Sequence, residues 1–259
     1  MSVLVGDGDG TFQPAVDYSV GTGTNPRSVA WSDFNGDGFC DLAVANSSGG
    51  TNNAGNLAIL LGNGDGTFQP AANYDTLGSE PVALTTGPFD SNQSQDVAVA
   101  NFASSSVTIF LNDGNGGFTA SGNYSVCVGP ASISLIFIVS GFDLVVANFG
   151  SNDITLLVNT GNGTFNRSKN YAVGNMPVSV GVGNFNGGRL FDLAVVNKND
   201  NTVSVLIAKL FKPLFRFPIN FATCPSPQSL VALDLNHDNI SDLVMACSDG
   251  VGVMVNTGP

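Results

Sequence analysis

Histidine is almost missing from this chain: His237 is the only one in 259 residues. With one His, and with no GxSxG, HExxH or P-loop pattern, the common hydrolase and nucleotide sites cannot be assembled. Charge is scarce too. Only 11% of the residues are charged, against about a quarter in ordinary globular chains. Basic residues are the scarcer sign, eight against twenty acidic ones, for a net charge of −12. That balance excludes nucleic acid and anionic membrane as expected partners and suits cations. Long apolar runs are absent. The longest, Ala131 to Val139, is far too short to cross a bilayer, so no transmembrane segment is expected. The four cysteines, Cys40, Cys127, Cys224 and Cys247, have no CxxC spacing. Buried thiols and a disulfide both stay open, and Cys40 with Cys247 is the first pair to test. No stretch keeps a 3.6-residue apolar period, which predicts very little helix.

What is present is a repeat. Five times, a Phe is followed six residues later by an aromatic, then a Pro, then a strand opening with Asp. The aromatic pairs are Phe12/Tyr18, Phe68/Tyr74, Phe118/Tyr124, Phe165/Tyr171 and Phe215/Phe221. The prolines are Pro26, Pro81, Pro130, Pro177 and Pro227. The strands DLAVAN, DVAVAN, DLVVAN, DLAVVN and DLVMAC open at Asp41, Asp96, Asp143, Asp192 and Asp242. A period near 50 residues means a modular array whose units bury their apolar faces on one another.

In the second unit, Pro81–Leu84, the run from Asp96, Ser106–Leu111 and Phe118–Tyr124 read as four short strands, with a Gly/Asn turn at 113–117. Such turns favour positive φ and hairpins. Four antiparallel strands per unit predict an all-β fold, a β-propeller, with a linear β-solenoid as the weaker competitor. The recurring Phe and Tyr are expected between blades. The repeats run over 26–80, 81–129, 130–176, 177–226 and 227–259, the last completed by 1–25. Ser2–Val5 and Gly252–Val255 are both copies of the third strand. A closed five-bladed ring is therefore favoured, while a piece of a longer ring and an exchange of end strands between subunits stay open. Met1 leads straight into mid-repeat sequence, which reads as trimmed from something longer.

Between the first two strands of unit one lies DFNGDGFCD. Asp33, Asn35, Asp37 and Asp41 occupy positions 1, 3, 5 and 9, with Gly38 at position 6 and the Phe39 carbonyl at position 7. A hard cation such as Ca²⁺ takes six to eight oxygens, and a tight loop of alternating carboxylates and amides supplies them. Without a cation the three carboxylates would repel one another. The last unit repeats the pattern with Asp234, Asn236, Asp238 and Asp242, Asn239 in the Gly position and the Ile240 carbonyl at position 7. Unit two keeps Asp90, Asn92 and Asp96 as a weaker site. Unit four has Asn184, Asn186, Gly188 and Asp192, with a single carboxylate, and unit three keeps only Asp143. Val44 stands in the region where an EF-hand needs its final Glu, so these are not EF-hands. His237, at position 4, is expected to point into solvent.

These residues resemble the FG-GAP/VCBS repeat family, whose relatives include integrin α propellers. The resemblance rests on DFNGDGFCDLAVAN, LDLNHDNISDLVMAC and the GNGDGTF hairpin at 62–68. It implies Ca²⁺ in loops on one face of a propeller and partner binding by other loops. Integrin-type propellers are seven-bladed, a departure from the five units here.

The expected function is a non-catalytic, calcium-stabilised extracellular adhesion or binding module with a protein or glycan partner. The alternatives are a structural subunit that self-associates through its terminal strands or the 209–216 turn, and a lectin-like carbohydrate binder. That turn, KLFKPLFR, replaces a Gly/Asn hairpin and helps to place five of the eight basic residues between Arg189 and Arg216. Six glycosylation sequons, at Asn46, Asn92, Asn123, Asn162, Asn166 and Asn239, fit a secreted glycoprotein.

Overall fold

The computed structural model describes residues 1–138, 141–210 and 214–258. It is all-β, with a single 3-10 turn at Thr51–Asn53 as its described helix. A two-stranded pair comes first, β1 (Ser2–Val3) with β2 (Val16–Asp17). Four antiparallel four-stranded sheets follow. The first holds β3 (Pro26–Ser32), β4 (Asp41–Asn46), β5 (Asn56–Leu60) and β6 (Ala72–Asp75). The second holds β7 (Pro81–Gly87), β8 (Asp96–Asn101), β9 (Ser106–Asn112) and β10 (Phe118–Ser125). The third holds β11 (Pro130–Phe137), β12 (Phe142–Asn148), β13 (Asp153–Asn159) and β14 (Phe165–Ala172). The fourth holds β15 (Pro177–Gly183), β16 (Asp192–Asn197), β17 (Thr202–Leu206) and β18 (Ile219–Ala222). A three-stranded sheet ends the chain: β19 (Ser229–Leu233), β20 (Asp242–Cys247) and β21 (Gly250–Met254).

The sequence of each second strand explains the stacking. β8 is buried along its whole length, because both of its faces meet another sheet. Val97 and Val99 pack back on Ala43, Ala45, Leu57 and Ile59 of the first sheet. Ala98 and Ala100 pack forward with Ile133, Leu144 and Val146 of the third. Large side chains on one face and small ones on the other let neighbouring sheets interdigitate. The outermost strand, β10, alternates half-buried and exposed after its buried Phe118, as a strand with one wet face should.

The aromatic repeat lies between sheets, as its regularity predicted. Tyr74 of the first sheet meets Phe118 of the second edge-on, with ring centroids 5.8 Å apart. Tyr124 meets Phe165 at 5.7 Å and Tyr171 meets Phe215 at 5.4 Å. Edge-to-face pairs of this kind add stability beyond their buried area.

The ends differ from the expected closure. Inner strands pack in the order β3, β7, β11, β15, β19, but β19 does not pack against β3 in the same way. β2 pairs with β1 and β21 with β20, so 1–25 and 227–259 do not build one shared sheet among the described residues. The outward side of β3 and that of the last sheet are left wet, with Trp31 70% and Val251 72% exposed, while Tyr18 and Val20 cover Val44, Ala58 and Leu60 of the first sheet. The two copies of the third strand each find a partner in their own sheet, which removes the pairing that closure required.

Of the open cysteine readings, the pair first to be tested is not the bonded one. Cys247 is bonded to Cys224, which lies at the end of the fourth unit, just before the last sheet begins. Cys40 is an exposed thiol, and the Sγ of Cys127 accepts a hydrogen bond from the Asn170 amide. Cys247 stands where the four earlier second strands end in Asn46, Asn101, Asn148 and Asn197, all fully buried. Asn46 is therefore no glycan acceptor in the folded chain, although its sequon fits.

Candidate functional site

The first loop is a scaffold of side-chain oxygens holding backbone N–H groups. Asp33 accepts from Gly36 N at 2.7 Å and Gly38 N at 2.9 Å. Asn35 Oδ1 accepts from Asp37 N at 3.1 Å, and Asp37 Oδ1 from Phe39 N at 2.8 Å. The Asn35 amide also donates to Asp37 Oδ2 at 2.8 Å. Gly36 and Gly38 take φ of 76° and 84°, a region that favours glycine. The Phe39 ring covers the neighbouring hairpin, where a Cβ on Gly64 would run into it.

The last loop copies this geometry with different residues. Asp234 accepts from His237 N at 2.7 Å, Asn239 N at 2.9 Å and Asp238 N at 3.2 Å. Asn236 Oδ1 accepts from Asp238 N at 3.2 Å, and Asp238 Oδ1 from Ile240 N at 2.8 Å. His237 and Asn239 adopt φ of 63° and 66°, matching the two glycines of loop one. His237 is exposed, and its backbone N–H, rather than its ring, is what the loop uses.

Asp41 and Asp242 do a different job from the other acids. Asp41 is fully buried. One of its oxygens takes Phe34 N and the other Gly62 N, each at 2.7 Å. Asp242 takes Leu235 N at 2.8 Å and Asn256 N at 2.7 Å. The same double grip recurs at Asp96 on Phe89 and Asn112, and at Asp192 on Phe185 and Ala208. Asp143 holds Asn159 N at 2.9 Å. This final Asp is a clamp that ties the loop to the end of the third strand. The clamp role, foreseen from the persistence of Asp143, is universal.

Neighbouring units lock the loops further. The Asn112 amide donates to the Phe34 carbonyl at 2.8 Å, and the Asn159 amide to the Phe89 carbonyl at 3.0 Å. These asparagines end the third strand of the next unit. Their role was not legible from composition, although their recurrence at Asn112, Asn159 and Asn256 is a signal that could have been used.

Unit two holds less. Asp90 accepts from Asn92 N at 3.0 Å, while the Asn92 amide is spent on the Asn112 carbonyl at 2.8 Å. A cavity of about 420 Å³ separates loops one and two, lined by Asp33, Gly36, Asn92 and Gln95 among others. In unit three, Val139 and Ser140 of the loop lie outside the described residues.

Electrostatics separates the two kinds of acid. Backbone N–H groups, led by that of Gly38, hold Asp33 below its ordinary pKa. Asp234 is also lowered: burial opposes this, but the N–H groups of Asn239, His237 and Asp238 outweigh it. Burial pushes Asp41 up against its own hydrogen bonds, and the charges of Asp37 and Asp33 push it further. Asp41 thus feels the other two acids of its loop. Among the described residues, no three His, Cys, Asp or Glu side chains converge as a ready-made metal cluster. The loops nevertheless offer the hard oxygen donors that calcium takes, and an ionised carboxylate oxygen holding one N–H keeps a further lone pair.

Comparison with known proteins accords with the repeat pattern. Residues 1–44 and 33–99 match the FG-GAP-like repeat. No curated protein sequence matches the chain significantly. Among solved structures, a putative 6-phosphogluconolactonase from Bacteroides uniformis superposes with a TM-score of 0.64 at 17% identity, covering 85% of this chain and 64% of that one. The periplasmic gluconolactonase of Pseudomonas aeruginosa gives 0.61 at 15% identity, covering 88% and 65%. An Agrocybe aegerita lectin that recognises non-reducing terminal N-acetylglucosamine gives 0.63 at 16%, covering 99% and 71%. The chain therefore spans about two thirds of the length of these proteins. At such identity the likeness shows the fold, a β-propeller-like stack of sheets. It also corrects one expectation. Two of these structures are described as lactonases, so missing hydrolase motifs do not make a chain of this fold a non-enzyme.

Proposed function

We propose that this chain is an extracellular binding module whose first and last loops are set by calcium. The observation that carries the reading is the repeated loop geometry. Units one and five reach the same hydrogen-bonded arrangement through different residues, Gly36 and Gly38 in one, His237 and Asn239 in the other. Both retain Asp, Asn and Asp at positions 1, 3 and 5. Asp33, Asn35 and Asp37, with the Phe39 carbonyl, would hold one ion. Asp234, Asn236 and Asp238, with the Ile240 carbonyl, would hold the other. Asp41 and Asp242 would contribute while keeping their clamp role. Asp90, Asn92 and Asp96 offer a weaker third set. Calcium would supply positive charge that relieves the repulsion among the acids, and so fix the loop conformation.

The FG-GAP-like match and the lectin among the structural relatives support binding, of a glycan or a protein, as the use of the fold. A low-charge surface rich in Asn, Ser, Thr and Gly supports an extracellular location and an adhesive role. The disulfide between Cys224 and Cys247 supports an oxidising compartment. Self-association is the second reading, favoured by the apolar outward faces around Trp31 and Val251. Of the 209–216 turn, Phe211, Lys212 and Pro213 lie outside the described residues.

The test is thermal melting with calcium and with chelator. Saturating calcium at about a hundred times its Kd should raise stability by ~2.7 kcal/mol per site, and chelator should remove that gain. Asp37→Ala with Asp238→Ala should abolish most of the difference. Identical curves with and without chelator would remove calcium from the account.

A further inference from the structure

The inter-sheet notch recurs along the array, and one copy has changed its charge. At the first, Tyr18 meets Phe68 edge-on with centroids 5.5 Å apart, and a cavity of about 350 Å³ opens beside them, lined by Asp17, Gln69 and Pro70 among others. Between the third and fourth sheets, Tyr171 and Phe215 make the same contact at 5.4 Å. The cavity there is about 430 Å³, and its walls carry Lys169, Lys209, Arg216, Phe217 and Pro218.

Three separate positions have turned cationic. Lys169, two residues before the notch tyrosine, corresponds to Val16, Ala72 and Gly122. Arg216, one residue after the notch phenylalanine, corresponds to Gln69, Thr119 and Asn166. Lys209 opens its hairpin by donating its N–H to the Leu214 carbonyl. Asn63, Asp113 and Thr160 do the same in the earlier units. The corresponding positions of the earlier units carry no cation, so packing does not require them here. Eight basic residues serve the whole chain, and three of them line this one cavity, with no acidic residue among its walls. Asp192, the carboxylate on which Arg216 acts from a distance, has both oxygens occupied by backbone N–H groups.

The walls also offer a ring surface. Phe217 is 95% exposed, an unusual state for a phenylalanine, and Pro218 follows it. The Lys169 ammonium lies 5.1 Å from the Tyr171 ring centroid, which places its charge at the aromatic wall.

We propose that this notch binds a sugar carrying a carboxylate or sulfate group, such as a uronic acid residue. Arg216 and Lys209 take the anion, Arg216 through its planar fork. Phe217 takes the apolar face of the sugar ring. The volume lies inside the roughly 300–1,000 Å³ of small-ligand sites. The proposal rests on the binding-module reading and names its ligand class, but it does not involve the calcium loops.

The experiment is calorimetric titration of the full chain with four probes: a galacturonate tetrasaccharide, a heparin tetrasaccharide, neutral maltotetraose and a tetraglutamate peptide. At least one acidic sugar should bind, more weakly as salt rises, and neither maltotetraose nor tetraglutamate should match it. Arg216→Gln with Lys209→Gln should weaken binding by about tenfold or more. Phe217→Ala should weaken it as well, and Arg27→Gln should leave it unchanged. Melting curves confirm that each variant is folded. Failure of both acidic sugars to bind, binding that survives the double substitution, or equal binding of tetraglutamate would overturn the proposal. Binding of maltotetraose alone would overturn it too, while leaving the binding-module reading standing.

Discussion

The first and third units share a clamp and differ in everything else around it. In unit one, Asp41 grips two backbone N–H groups and lies beneath three further oxygen-bearing side chains. In unit three, Asp143 grips Asn159 N, and its loop carries no other acid. The inner strand of each packs alike on that of the next sheet, β3 on β7 and β11 on β15. The comparison separates two roles that the sequence motif blends. The last Asp of each loop belongs to the fold. The oxygen-bearing side chains at positions 1, 3 and 5 do not, because a unit folds without them.

The largest effect should come from breaking a clamp. Asp96→Ala orphans the buried N–H groups of Phe89 and Asn112, at about 1–3 kcal/mol each. Denaturant unfolding should show this loss with and without calcium. A loss seen only with calcium would merge the two roles again.

Next comes removal of the ligands alone. Asp37→Ala should cost stability in calcium, roughly 2–4 °C of melting temperature per kcal/mol lost, and almost nothing in chelator. A cost that persists in chelator would make Asp37 part of the fold.

The smallest effect is the pH response of unit three. Burial raises Asp143 from the ordinary 3.8 to about 6, opposed by the Asn159 N–H. Between those values the folded chain keeps a proton that the unfolded chain has released. Stability from this group is therefore greatest below about pH 4 and falls as pH rises through 6. Asp143→Asn should flatten that part of the profile, by about 1 kcal/mol once solvent screening of the half-buried carboxyl is allowed for, or ~3 °C. A profile unchanged by the substitution would place the titration elsewhere.

Much of the fold was readable in advance because the repeat supplies its own alignment. Four strands of unit two were expected at Pro81–Leu84, from Asp96, Ser106–Leu111 and Phe118–Tyr124. They form at Pro81–Gly87, Asp96–Asn101, Ser106–Asn112 and Phe118–Ser125. Periodicity carries that information locally. Closure is not local. Whether β19 reaches β3 depends on the small rotation between successive sheets, summed over the array, and no residue pattern states that angle. The disulfide was missed for a related reason. Cys40 and Cys247 become neighbours only in a closed ring, whereas Cys224 and Cys247 meet across the boundary of two consecutive units, 23 residues apart. At the loops, residue types were legible but hydrogen-bond partners were not. Asp41 and Asp37 look equivalent in DFNGDGFCD, and only the structure shows that Gly62, 21 residues further on, holds one of them.

The most direct test of the account is calcium titration of the intact chain by calorimetry, beside the Asp37→Ala/Asp238→Ala variant. The account predicts one ion for the first loop and one for the last in the native chain, and neither in the variant. No heat of binding at millimolar calcium, or equal binding by the variant, would contradict it.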